Sequence, residues 1–195
     1  MIGYDAVWGL NAIDKSNIKH CTESSLLKKH RMKESYAEAI IPLGDEPLLR
    51  NRYINFQNSV RFGRLLEDLD TMAVHISYLH NISQSVEING QFISPIVIVT
   101  ALVDRIEILN NKMDPNKNIK LSGFTSWVGS SSAEISMKVE QEISGNIWTD
   151  ILDAKFLVCA RDTTNNSSAL MNPLEIVTDE EKAIYQLGQS IIIKL

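Results

Sequence analysis

The residues best placed to do chemistry fall in one stretch, Phe62-Gly63-Arg64-Leu65-Leu66-Glu67-Asp68-Leu69-Asp70. Phe62, Leu65, Leu66, Leu69, Met72, Ala73, Ile76 and Leu79 recur at i, i+3, i+4, i+7, which predicts an amphipathic helix from about Phe62 to His80. At about 100° per residue, Gly63, Asp70 and Ser77 share one flank of that helix, Asp68 and His75 lie on the opposite flank, and Glu67 points outward. Asp70 therefore borders the apolar stripe, where a carboxylate can serve as general base or nucleophile. A solvated or capping carboxylate is the plainer alternative. The helix start offers unpaired backbone N–H groups and the positive end of the dipole, and Gly63 lets a carbonyl come close to them. Phe62, Gly63 and Arg64 are thus candidate donors to a developing oxyanion, unless Gly63 only permits close packing of helix on strand.

Other chemistries find little support. His75 and His80 are five apart, not on one helical face, and no acid-rich ligand set accompanies them, so no metal site is expected and both read as surface histidines. Cys21 and Cys159 are too few for a disulfide scaffold and form no CxxC; Cys159 reads as a small core residue in a strand. There is no P-loop, no GxGxxG and no serine elbow. The formal net charge of -5 argues against nucleic-acid binding through phosphate contacts. At 44% hydrophobic and 22% charged residues the chain is ordinary for a globular protein, and no run reaches the roughly 18 apolar residues needed to span a bilayer.

The elements that must position these residues can be read along the chain. Residues 1–34 carry a charge of +2, against -7 for the remainder, and read as a loosely ordered lead-in. A strand is expected at Ser35 to Pro42, followed by turn chemistry at Gly44-Asp45-Glu46-Pro47. Asn58 or Ser59 could cap the long helix, and Asn81 with a Ser-rich stretch to Gly90 ends it. Strands follow at Ile96 to Leu109, apolar at its start apart from Thr100, and at Ile119 to Val128. Ser132 to Ile143 alternates cleanly between polar and apolar, and Ile151 to Ala160 is a further strand. Beyond Arg161 lie a polar loop and a helix somewhere in Glu175 to Gln189.

One strand, one long helix and then four strands joined by short turns is the plan of an α+β hot-dog fold, an antiparallel sheet wrapped around one long helix. The stretch from Arg61 to Ala73 resembles the helix motif of hot-dog thioesterases at Gly63, Leu66, Asp70 and Ala73, while Arg61 and Phe62 depart from its His-Gly start. A wider set of blocks, in order, is similar to the first hot dog of the acyl-coenzyme A thioesterase 9-like family, mitochondrial enzymes with two hot dogs per chain. These blocks are Arg31-Met32-Lys33 with Ser35-Tyr36, Pro42-Leu43-Gly44, Val60 to Arg64, Leu66 to Asp70, Ile98 to Asp104, Ser126 to Gly129, Asp153-Ala154 and Ala160-Arg161-Asp162. The resemblance implies a hot-dog domain at residues 35–162, and a C-terminal loop and helix at 163–195 that stops where a linker to a second hot dog would begin.

It implies hydrolysis of acyl-CoA to free acid and coenzyme A. Gly63 would approach the oxyanion, Asp70 would be base or nucleophile, and Asn55, six residues before Arg61, would stand near the place of an asparagine that works with an acid from the other hot dog. Loop structure or an N-cap is the alternative for Asn55 and Asn58. The turn at Gly129-Ser130-Ser131-Ser132 is a place for coenzyme A contacts, with Lys120, Lys138 or Arg161 for its phosphates, against a plain tight-turn role. No separate cofactor is implied, since coenzyme A is part of the substrate. The partner would be a second copy or a second hot dog, and a non-catalytic or partner-dependent half is the alternative to an enzyme. A hot-dog dehydratase is disfavoured because Arg61 replaces the usual histidine. The family implies mitochondria, yet residues 1–35 lack the Arg-rich, acid-poor character of a presequence, which leaves a cytoplasmic location open.

Overall fold

A computed structural model describes residues 20–88, 90–109, 113–163 and 167–192. The main sheet has five antiparallel strands: β1 (Ala37–Ile41), β4 (Ile96–Ile108), β5 (Ile119–Val128), β6 (Ser132–Ser144) and β7 (Ile147–Asp162). Their order is β1-β5-β6-β7-β4, so β1 and β4 form the two edges. The sheet wraps the long helix α2 (Phe62–His80), which is the hot-dog arrangement. Alternation explains the sheet: along β6, Ala133, Ile135, Met137 and Val139 all face inward and are buried. The stripe explains the helix: Leu65, Leu69, Ala73 and Ile76 are fully buried against Ile119, Ile135, Val139, Phe156 and Val158 in one core.

Several details differ from the sequence reading. A short helix, α1 (Pro47–Tyr53), follows the turn at Gly44; seven residues are too few for helical periodicity to register. A hairpin, β2 (Val86–Ile88) with β3 (Gln91–Ile93), occupies the stretch before β4. The N-cap of α2 is Arg61, not Asn58 or Ser59, and no side chain caps it. Asn58 instead takes a left-handed conformation at φ 57° within the preceding loop.

Residues 30–34, read above as part of a loose lead-in, pack into the body. His30 N–H donates to Pro173 O at 3.0 Å, Met32 is buried, and Arg31 pairs with Glu181. A buried polar hub ties this segment, the end of α2 and the 168–174 segment together. Asn172 Nδ2 donates to Lys28 O at 2.6 Å and to Ser83 Oγ at 2.8 Å, while Asn172 N–H donates to Asn81 Oδ1 at 2.8 Å. His80, expected at the surface, is fully buried here; its Nε2 bonds Asn172 O at 2.7 Å and its ring meets that of His30 edge-on at 5.8 Å. Burial pushes its pKa down to about 4, and burial likewise lowers His30. The last helix, α3 (Asp179–Ile192), lies on the outer face of the sheet, where Tyr185 packs beside Trp127 with ring centroids 6.5 Å apart. Cys159 is half-buried on that outer side of β7, not in the core.

Candidate functional site

The N-terminal end of α2 is held by α1 and the loop after it. Tyr53, at the end of α1, is buried beneath α2 and donates its hydroxyl to Asp68 Oδ2 at 2.7 Å. The Arg64 guanidinium lies over the Tyr53 ring, 5.5 Å from its centroid, and pairs with Glu67. Burial raises the Asp68 carboxyl above the usual range, and burial together with that carboxylate lifts Tyr53 to about 12. Glu67 and Asp68 are therefore both engaged.

Asp70 is different. It is half-buried and makes no hydrogen bond or ion pair among the described residues. On its side of the helix Tyr78 reaches the edge strand, its hydroxyl accepting Ile98 N–H at 3.2 Å, so the Asp70 flank borders β4. Thr100, on the helix-facing side of β4, has a buried hydroxyl with no partner. Sequence reasoning gave Thr100 no role; the available signal was a lone polar residue in an apolar strand run.

Gly63 is exposed, and a Cβ built on it meets nothing within 4 Å. Close packing within the chain therefore does not explain this glycine. Of the three candidate donors, Arg64 N–H is taken by Arg61 O at 3.0 Å, which leaves the N–H groups of Phe62 and Gly63 without acceptors among the described residues. Asn55 is half-buried in the loop before α2. Its Oδ1 accepts Gln57 N–H at 2.9 Å and Ser59 N–H at 3.0 Å, so its carbonyl builds the loop, and Nδ2 has no partner among the described residues.

The residues suggested for coenzyme A lie elsewhere. Ser130 O accepts Met171 N–H, and residues 171–172 abut Asn81 at the C-terminal end of α2. Arg161, half-buried, pairs with Val97 in β4 and bridges to Ser168 at the same end. Gly63 is at the other end of a helix about 28 Å long, so one chain does not bring Gly129, Ser130 and Arg161 to Gly63 and the Asn55 loop before it, while Asp70 lies near the middle of the helix. Gly129 has a structural reason to be glycine: a Cβ there would lie 2.6 Å from the Trp127 ring. Lys120 and Lys138 sit well along the strands from this turn, bonded to Glu140 at 2.9 Å and Asp150 at 3.0 Å. No group of three or more metal-ligating side chains occurs among the described residues, and none of their helices is long and apolar enough to cross a membrane.

No family model matches the chain. Human acyl-coenzyme A thioesterase 9, mitochondrial, is 44% identical over 163 residues, covering 84% of this chain and 36% of the relative. Mouse acyl-coenzyme A thioesterase 10, mitochondrial, is 34% identical over 194 residues, covering 97% and 43%. The chain belongs to the acyl-coenzyme A thioesterase 9 family. It spans less than half the length of these relatives. Among solved structures, an apo-hexameric acyl-CoA thioesterase superposes with a TM-score of 0.68 at 17% identity, over 86% of this chain and 95% of that one. An acyl-CoA hydrolase from Staphylococcus aureus, solved with butyryl coenzyme A and coenzyme A, gives 0.66 at 16%, over 85% and 89%. At these identities the structures establish the hot-dog fold.

Proposed function

We propose that the chain is the catalytic part of an acyl-CoA thioesterase, with its site completed by a second hot dog. The observation that carries this is the unengaged, half-buried Asp70 on the flank of α2 that begins at Gly63, beside an open sheet edge. The names of the relatives supply the substrate class, acyl-CoA, and a mitochondrial location.

In this reading Asp70 takes a proton from water, whose oxygen bonds to the thioester carbonyl carbon. The resulting oxyanion accepts hydrogen bonds from the Phe62 and Gly63 N–H groups. Collapse breaks the C–S bond, the thiolate takes the proton, and free acid and coenzyme A leave. Magnitude argues for a shared site. Seven residue steps along the helix set Gly63 and Asp70 about 10 Å apart along the axis, and the free N–H groups point away from Asp70. One carbonyl cannot sit on Gly63 and within a water of Asp70 of the same helix. A second hot dog packed antiparallel along the β4 edge would set its Asp70 near this Gly63, and a two-fold axis would make two such sites. Gly129, Ser130 and Arg161, at the opposite end of α2, would then face the partner's site, where Arg161 could meet coenzyme A phosphates.

The test is thiol release from a panel of acyl-CoAs by wild type and Asp70→Asn. A fall of about 100-fold or more in the variant, the scale of a lost general base, supports the proposal. Release unaffected by the substitution defeats it. The axial separation of Gly63 from Asp70 favours one second reading, a hot dog that binds acyl-CoA but turns over only with a complementary one. Binding without release by wild type would select it.

A further inference from the structure

We propose that Tyr53 and Asp68 are positioning residues for the site: their hydrogen bond, with Arg61 N–H donated to Tyr53 O, clamps the loop before α2 onto the helix and so fixes the first turn that carries the Phe62 and Gly63 N–H groups. This rests on the proposed thioesterase reading for its catalytic consequence, though not for the clamp itself. The loop is a closed hairpin. Ile54 bridges Val60, Asn55 N–H donates to Ser59 O at 2.9 Å, and Arg61 N–H donates to Tyr53 O at 2.6 Å. Inside it, the Asn55 carbonyl oxygen gathers the Gln57 and Ser59 N–H groups, and Asn58 N–H donates to Asn55 O at 3.0 Å. The hairpin is thus stiff in itself, yet its tip makes no contact that would hold it down: Phe56 is 96% exposed.

What fixes the hairpin against the helix is its root. Tyr53 is 5% exposed, and its side chain passes under α2 to Asp68 while its backbone carbonyl receives Arg61. Asp68 is one turn beyond Arg64 and two residues before Asp70, on the opposite flank. The same short piece of helix therefore carries the clamp on one side and the unengaged carboxylate on the other. Arg64 closes the clamp from above, stacked on the ring and with its Nη2 3.8 Å from Asp68 Oδ1. A buried hydroxyl donating to a carboxylate is a short, charge-assisted bond of defined direction, which suits a group that must hold a loop to within a fraction of an ångström.

The test compares Tyr53→Phe, Asp68→Ala and Asp68→Asn with wild type, by amide hydrogen exchange and by thiol release. Tyr53→Phe keeps the packing ring and removes only the hydroxyl; Asp68→Asn keeps an oxygen that accepts from it. Exchange at Arg61, whose N–H closes the root on Tyr53 O, is expected to quicken about tenfold in Tyr53→Phe and Asp68→Ala and to stay near wild type in Asp68→Asn, while Gln57 and Ser59, bonded inside the hairpin, keep their wild-type rates. Amides of β6 should not change in any variant. In active protein, kcat falls about tenfold in the first two variants with KM within about twofold, and the double variant Tyr53→Phe/Asp68→Ala is no worse than either. Unchanged exchange at Arg61 in Tyr53→Phe, or equal quickening in β6, overturns the clamp. If wild type releases no thiol, the thioesterase reading fails while exchange still decides the clamp. If exchange quickens in an active protein but kcat holds, the positioning role is overturned.

Discussion

Burial of His80 makes a pH-dependent stability that can be worked in advance. Its pKa falls from the ordinary 6.5 to about 4 because the ring is desolvated, although the bond to Asn172 O pulls the other way. The sign follows from proton counting. Between pH 6.5 and pH 4 the unfolded chain binds a proton at this site and the folded chain does not, so stability rises with pH across that window and is lost on acidification. Integrated over the window, the loss is about 2 kcal/mol by pH 5 and about 3 kcal/mol by pH 4. For a chain of this size, 3 kcal/mol is roughly 10 °C in melting temperature. His80→Gln removes the titration and keeps an N–H that can donate to Asn172 O. Urea unfolding of the two proteins from pH 7 to pH 4 should show wild type losing about 3 kcal/mol more than the variant. The His30 ring touches His80 and its charge acts on it, so both proteins are compared in a His30→Gln background, where the difference between the curves isolates His80. Curves that stay parallel over the whole range would refute the burial argument.

The remaining expectations are more local. Gly188→Leu should loosen α3, since even a Cβ there lies 2.7 Å from the Trp127 Cβ and 3.2 Å from Glu134 Oε1; red-shifted tryptophan emission would report it, at a cost of about 1–3 kcal/mol from overpacking. Gly63→Ala should leave the melting temperature unchanged or raise it, by up to about 1 kcal/mol of helix propensity, while thiol release falls; a fall in both would return Gly63 to a structural role. Asn172→Ala should cost about 2–4 kcal/mol in chemical unfolding, because it removes the side-chain partner of Lys28 O, Ser83 Oγ and Gln84 Nε2 at once.

Much of the fold could be read from residue patterns. The Phe62–His80 helix stands where periodicity puts it, because it buries one clear stripe against the sheet; the Ile119–Val128 strand also stands where expected, although it is covered on both faces and buried along nearly all its length. The failures share a cause as well. α1 and the β2–β3 hairpin are short, with their stability drawn from neighbours, not from a local pattern. His80 looked like a surface histidine because its partners, Asn172 and His30, are distant in sequence. The candidate site was legible in type but not in geometry. A helical wheel puts Gly63 and Asp70 on one flank, yet only the axial rise shows that they cannot serve one carbonyl together. The clamp from Tyr53 to Asp68 spans two elements, one of them unanticipated, so no spacing rule could have exposed it.

The central claim is that Gly63 of one hot dog works with Asp70 of another. Complementation tests it most directly. Gly63→Leu and Asp70→Asn are purified separately, dissociated, mixed in equal amounts and allowed to reassociate, and thiol release is compared with wild type at matched concentration. Each variant alone should be nearly inactive. The mixture should recover about a quarter of wild-type release, since half the pairs are mixed and each mixed pair carries one intact site. A mixture no more active than its components, with mixed pairs shown to have formed, would contradict the shared site.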